Sequence, residues 1–267
     1  MRIRMRYAAP LALAAVAVVA LAGIALAAPD GNSSSVQGSG FKPTTLPLNT
    51  YKAGALFVHT HANYAHPGVG VQGGYTERAQ LYFDNDGKLN TTGVPRCDKS
   101  KVQGNITMKQ AMAACGSAKV GQGTAQALSG TVTVNGCVLV FNGKPTASGQ
   151  PTDLIFTRVK ASAPSNITCT SPSQNTQGTT SVLLEGIVKP NPASLGPDFQ
   201  GGKMLDVDHI TSVSPLPLTD FKVTTQRGSY ISARCHDANK QLNIKAKFTY
   251  TDGQSDTVGS SQACTVG

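Results

Sequence analysis

The sequence predicts an all-β fold: an antiparallel β-sandwich, with jelly-roll or Ig-like layering, one short helix and three disulfides. Three observations carry this expectation. Short apolar runs alternate with Gly-, Pro- and Asn-rich turns along most of the chain. One run, residues 242–250, places Leu, Ile, Ala, Phe and Tyr on alternate positions with Asn, Lys, Lys and Thr between them. That period of two marks a strand with one face on a core and one toward water. Six cysteines, an even number, fit a crosslinked exported chain.

The first elements are not part of the fold. Arg2, Arg4 and Arg6 precede a charge-free, Ala/Leu/Val-rich stretch over residues 8–26, and Ala25-Leu26-Ala27 supplies a small-x-small cleavage site. Together they predict a secretory signal over residues 1–27. The competing reading is a membrane anchor, since the stretch has about the 20 residues a spanning helix needs. Gly23, the cleavage site and the lack of a basic cluster before Lys42 favour cleavage. Residues 28–40 are Gly/Ser/Asn-rich and read as a flexible leader. The β-sandwich domain is then expected over 41–267, secreted and extracellular, with no membrane span after signal cleavage.

Within that domain, strands are expected at 55–61, 80–83, 131–134, 137–141, 153–160, 181–188, 229–235 and 242–250. Asn135-Gly136, Asn142-Gly143 and Asp252-Gly253 are predicted hairpin turns, because these pairs tolerate the positive φ that two-residue turns require. One segment reads as a helix. Thr107 and Gln110 fit a capping box, an Ala/Met-rich stretch to Cys115 follows, and Gly116 is the stop. Residues 161–180 are polar and turn-rich and read as a long loop around Cys169.

Six cysteines allow 15 connectivities. The sequential one closes the shortest loops and keeps each bridge within one structural block: Cys97–Cys115, Cys137–Cys169 and Cys235–Cys264. The chain contains no CxxC spacing, which argues against a zinc ribbon or a thioredoxin-type site.

Charge excludes one class of partner. The full chain has 23 basic and 14 acidic residues; losing three arginines with the signal leaves a net charge of +6. No tight basic run accompanies it, so no nucleic-acid interface is expected. An extracellular or cell-surface partner is expected instead.

The residues best suited to chemistry are His59, His61 and His66. On a strand, His59 and His61 share a face with Cβ atoms roughly 6.5–7 Å apart. Such a pair suits one Cu or Zn ion, with His66 as a third ligand, while the alternative is two exposed histidines on a strand edge. Asp84-Asn85-Asp86-Gly87 opens like a calcium loop, but Lys88 and Pro95 replace the later ligands, so a hairpin turn is the better reading. Asp206 and Asp208 are two carboxylates on one strand face, a spacing compatible with glycoside hydrolysis. The absence of Trp and the presence of only two glutamates, Glu77 and Glu185, weigh against a cell-wall or glycan hydrolase. Cys235-His236-Asp237 is not a ready dyad, because neighbours on a strand point apart and a bridged cysteine offers no thiolate. No cofactor motif stands out, and no catalytic residue is assigned.

The segments 56–61, 114–124, 232–235 and 248–253 carry one resemblance. In Leu56-Phe57-Val58-His59-Thr60-His61, Ala114-Cys115-Gly116 and Phe248-Thr249-Tyr250 the chain resembles an uncharacterised family of secreted bacterial β-rich proteins of unknown function. The resemblance implies export, β structure and disulfides, and brings no activity or ligand. The functional expectation is an extracellular binding or structural module, with metal binding at His59 and His61 as the alternative and a hydrolase behind both.

Overall fold

The structure, a computed structural model, describes residues 32–64, 74–129, 132–160, 169, 180–213, 216–236 and 240–267. The strands are β1 (Ser33–Val36), β2 (Gly40–Lys42), β3 (Thr45–Leu46), β4 (Lys52–Ala53), β5 (Ala55–Asn63), β6 (Thr76–Phe83), β7 (Gly87–Leu89), β8 (Lys119–Ser129) and β9 (Val132–Asn142). They continue as β10 (Thr152–Lys160), β11 (Thr180–Pro190), β12 (Lys203–Val207), β13 (Leu218–Thr225), β14 (Ile231–Ala233), β15 (Gln241–Tyr250), β16 (Ser255–Ala263) and β17 (Thr265–Val266). Helix α1 spans Met108–Cys115, and a single turn, α2, spans Ile210–Val213.

Twelve strands form one hydrogen-bonded sheet in the order β1-β5-β13-β8-β9-β10-β11-β12-β6-β15-β16, with β2 added beside β5. All its pairings are antiparallel. The fold is therefore mostly β and antiparallel, as the sequence predicts, and its framework is one continuous path. Two small sheets, β4-β14-β7 and β17-β3, lie beside it.

The two ends of the path meet through side chains. Ser34 N donates to Asp256 Oδ2 at 2.6 Å, and Tyr250 OH lies 2.7 Å from both Ser34 Oγ and that same Oδ2. Farther along, Phe41 N donates to Gln262 Oε1 at 2.5 Å while Gln262 Nε2 donates to Phe41 O at 3.0 Å. The glutamine amide thus satisfies both backbone groups of a β2 residue, as a neighbouring strand would.

The core has two levels. Val138, Val140, Ile155, Val182, Leu184 and Val223 pack together on the inner face of the sheet. On the outer face, Leu139, Phe141, Leu154 and Phe156 pack against Met108, Ala111 and Cys115 of α1. Strands β9 and β10 are thus buried on both faces, which explains their unbroken apolar runs. On β15 burial alternates strictly, and Asn243, Lys245, Lys247 and Thr249 face outward. Among the described residues no helix is long and apolar enough to cross a membrane.

Three kinds of local signal hold. Thr107 Oγ1 accepts from Gln110 N and the Gln110 side chain reaches back to Thr107 N, completing the capping box of α1. All three disulfides take the sequential pairing, Cys97–Cys115, Cys137–Cys169 and Cys235–Cys264. Asp252-Gly253 turns β15 into β16, with Gly253 at φ 84°.

Three expectations are corrected. Asn135-Gly136 is not a turn: β9 runs straight through it, pairing Gly136 with Ala125 on β8 and with Val159 on β10. A turn there would break hydrogen bonds on both sides of a central strand, and the long-range pairing outweighs local turn chemistry. Asp84-Asn85-Asp86-Gly87 does not close a hairpin; it carries the chain from β6 in the large sheet to β7 in the small one. The ordered fold also begins before Phe41. Ser33–Val36, inside the expected leader, forms β1 against β5, with Asn32, Ser34 and Val36 buried. The expected signal (1–27), His66, Asp237 and most of the loop around Cys169 lie outside the described residues.

Candidate functional site

The two faces of the sheet carry different chemistry, because each strand sends alternate residues to each. Against one face of the sheet lies a cavity of about 120 Å³. Its wall draws on β5 (Val58), β13 (Val223), β9 (Val140), β10 (Ile155), β12 (Leu205) and β15 (Ile244), strands from around the whole path. Leu89 on β7 and Ile231 on β14 line it too, so the small sheet covers one end. A second cavity of about 70 Å³ shares Leu81, Ile155, Leu205 and Phe221 with the first. A third, of about 40 Å³, adjoins the second at Leu184, Ile210, Leu218 and Phe221.

The first of these cavities has two buried carboxyls in its lining, Asp153 and Asp84. Asp153, on the same face of β10 as Ile155, is 9% exposed and lines this cavity. Tyr230 OH donates to Asp153 Oδ1 at 2.5 Å. Burial raises the Asp153 carboxyl to about 6, with the Tyr230 hydrogen bond pulling the other way. Tyr230 is itself pushed far above the ordinary phenol range, first by burial and then by the neighbouring carboxylate. Lys88 and Lys203 also line the cavity and are exposed. Among the described residues neither makes an ion pair; Lys88 Nζ sits 5.3 Å from the Tyr51 ring centroid. Asp84, also in the lining, is buried and accepts from Asp86 N and Asn243 N.

His59 and His61 lie on the outer face of β5, opposite Lys222 and Asp220 of β13. His59 Nε2 is 2.9 Å and His61 Nδ1 3.5 Å from Asp220 Oδ2, while Lys222 Nζ is 3.2 Å from Oδ1. For Asp220, burial acts to raise the pKa, but hydrogen bonds from His59 and Lys222 outweigh it and hold the carboxyl below its usual range. The structure thus brings the two histidines together as a pair around a carboxylate. Among the described residues, no three or more His, Cys, Asp or Glu side chains are grouped so as to hold a metal ion.

The Asp206–Asp208 pair is also on the outer face and serves as an ion cluster. Arg78 Nε and Nη2 donate to the two Asp206 oxygens at 2.7 Å each, and Lys189 Nζ lies 2.6 Å away. Burial raises the Asp206 pKa, but Arg78 and Lys189 lower it further, so this carboxyl stays ionised. A glycosidase acid needs the opposite shift. Asp84 and Asp86 hold backbone and side-chain partners too: Asp86 takes Arg234 Nε at 2.9 Å and His236 N at 2.8 Å.

Sequence reasoning missed Asp153, Tyr230 and the cavity. Asp153 opens the strand expected at 153–160, and the one available signal of its role was its period-two relation to Ile155. Compared with known proteins, the chain matches no family model, no curated protein and no solved structure.

Proposed function

We propose that the protein is an exported binding protein whose twelve-stranded sheet rolls into a nearly closed barrel and holds a compact apolar ligand in its lumen. The observation that carries this reading is the apolar cavity of about 120 Å³ walled by β5, β9, β10, β12, β13 and β15. Two separate layers would not bring so many sequential neighbours of one sheet around one space, and the seam between β1 and β16 supports a rolled sheet over a sandwich. A small barrel packed solid by side chains leaves no such space; a barrel with a lumen holds a ligand. Export is supported by the three disulfides, which persist in oxidising compartments, and by the signal-like N-terminus. The polar outward residues of β15 support a barrel facing water, since a lipid-facing strand turns apolar residues outward.

Ligand size follows from cavity size. An apolar cavity of roughly 150 Å³ holds benzene, so this lumen suits a single ring or a short branched chain. The test is isothermal calorimetry or methyl NMR with toluene. Micromolar to millimolar binding is expected, lost in a Val223→Phe variant that fills the cavity. A wild-type lumen that shows no binding and no shift of its Val, Leu and Ile methyls would overturn the reading.

A further inference from the structure

We infer that Asp153 is the polar anchor of this lumen, accepting a hydrogen bond from a neutral hydroxyl, so that the site selects small apolar alcohols and phenols over hydrocarbons of the same shape. The inference rests on the lumen reading and adds the ligand's chemistry.

Asp153 is a buried carboxyl in an apolar wall. Such a group is costly unless hydrogen bonds satisfy it. Tyr230 serves Oδ1. Among the described residues no other group hydrogen-bonds the Asp153 side chain, so this residue of the cavity lining keeps acceptor capacity at its second oxygen. A ligand that brings one donor satisfies it.

The charges around the cavity decide which donor. Lys88 and Lys203 line the same space without ion-pair partners among the described residues and repel a cationic amine. An anion meets Asp153 and Asp84 in the wall. A group that only accepts, such as a ketone, faces the lone pairs of the ionised carboxylate. A neutral hydroxyl fits each constraint. It donates to Asp153 and carries no charge into a low-dielectric site. A site built to bond a hydroxyl discriminates strongly against the analogue that lacks it, because its own polar group is then left unpaired.

The test compares phenol with toluene, which share a shape and differ in the hydroxyl. The readout is the ratio of their dissociation constants in wild type and in Asp153→Ala, measured on the full mature chain at pH 7.5. Removing the anchor should shift that ratio against phenol by about tenfold to a hundredfold, the range for a hydrogen bond to a charged group, while toluene binding persists. Asp153→Asn keeps an acceptor oxygen and should give an intermediate ratio; it carries the test should the alanine variant not fold. An unchanged ratio with toluene still bound overturns the anchor and leaves the lumen reading standing. Wild type that binds neither ligand removes both.

Discussion

Strands β9 and β10 are apolar on both faces, whereas β15 is apolar on one, and the two sectors of a single sheet solve different problems. Where α1 and the Cys97–Cys115 bridge cover the outside, Phe141, Leu154 and Phe156 form a second core beyond the sheet. At β15 the outer positions, Asn243, Lys245, Lys247 and Thr249, are polar and half-buried, and the fully buried residues of the strand lie on the other face alone. One arc of the sheet, β9 and β10, is thus packed on both faces. The other arc, from β6 to β16, ends where side chains join Asp256 and Gln262 to Ser34 and Phe41.

Truncation at equivalent outward positions should separate the two sectors most. Phe156 is fully buried, and Phe156→Ala should cost about 3–5 kcal/mol of unfolding free energy. Lys247→Ala, outward on β15, should stay within about 0.5 kcal/mol. Urea denaturation of both variants checks the pair, and similar values would remove the second core from the account. Next comes the bridge that ties α1 to the arc. Replacing Cys97 and Cys115 together by alanine opens a loop of 18 residues and should cost about 3 kcal/mol in the chain-entropy model. Hydrogen exchange should speed up in α1 and on the outer face of β9, and hardly at β15.

The cavity side and the outer face differ in the sign of their pH dependence. Because burial raises Asp153 from 3.8 to about 6, the native state favours the protonated carboxyl. Its contribution is present below the unfolded value and is lost as pH rises through the folded one. Asp153→Asn, which stays neutral, should match wild type near pH 3 and exceed it above pH 6, by up to about 3 kcal/mol at 1.36 kcal/mol per unit. Thermal melts at pH 3.5 and 7.5 show it. On the outer face the sign reverses. Asp220 is held below its ordinary value, so its stabilisation is present at neutral pH and is lost as pH falls through the depressed value. Asp220→Asn should cost about 1 kcal/mol at pH 7 and nothing in strong acid. A variant that loses stability equally at both pH values would remove the ionic role from Asp220.

How much of this the sequence reveals depends on how local each determinant is. The capping box at Thr107, the β15–β16 hairpin and the three disulfides rest on neighbours or on short loops, and each was legible. Strand β8 was not, since it is rich in Gly, Gln and Ala, poor strand formers. It pairs so closely with β13 that a Cβ on Gly123 would come within 1.8 Å of Lys222 O. Strand β9 hid behind Asn135-Gly136 for the same reason: its partners β8 and β10 are distant in sequence, and pairing on two sides overrides a turn signal. The seam joins residues about two hundred positions apart and leaves no mark on periodicity. The candidate site was legible in part. His59 and His61 do share a face, as alternation demands, but their partner Asp220 lies on β13. Asp153 acquires its role only when strands from the whole sheet surround it.

The glutamine latch at the seam bears on how the molecule lives among copies of itself. The outermost strand of an open sheet offers free amide and carbonyl groups to any extended chain, the usual start of edge-to-edge aggregation. Here Gln262 already occupies both groups of Phe41, and Asp256 holds the amide of Ser34. Gly40 lets the latch seat, because a Cβ there would fall 2.3 Å from Gln262 Oε1. At these positions an incoming strand finds its docking groups taken, so the side chains that join the two ends of the sheet also leave fewer free groups for edge-to-edge pairing.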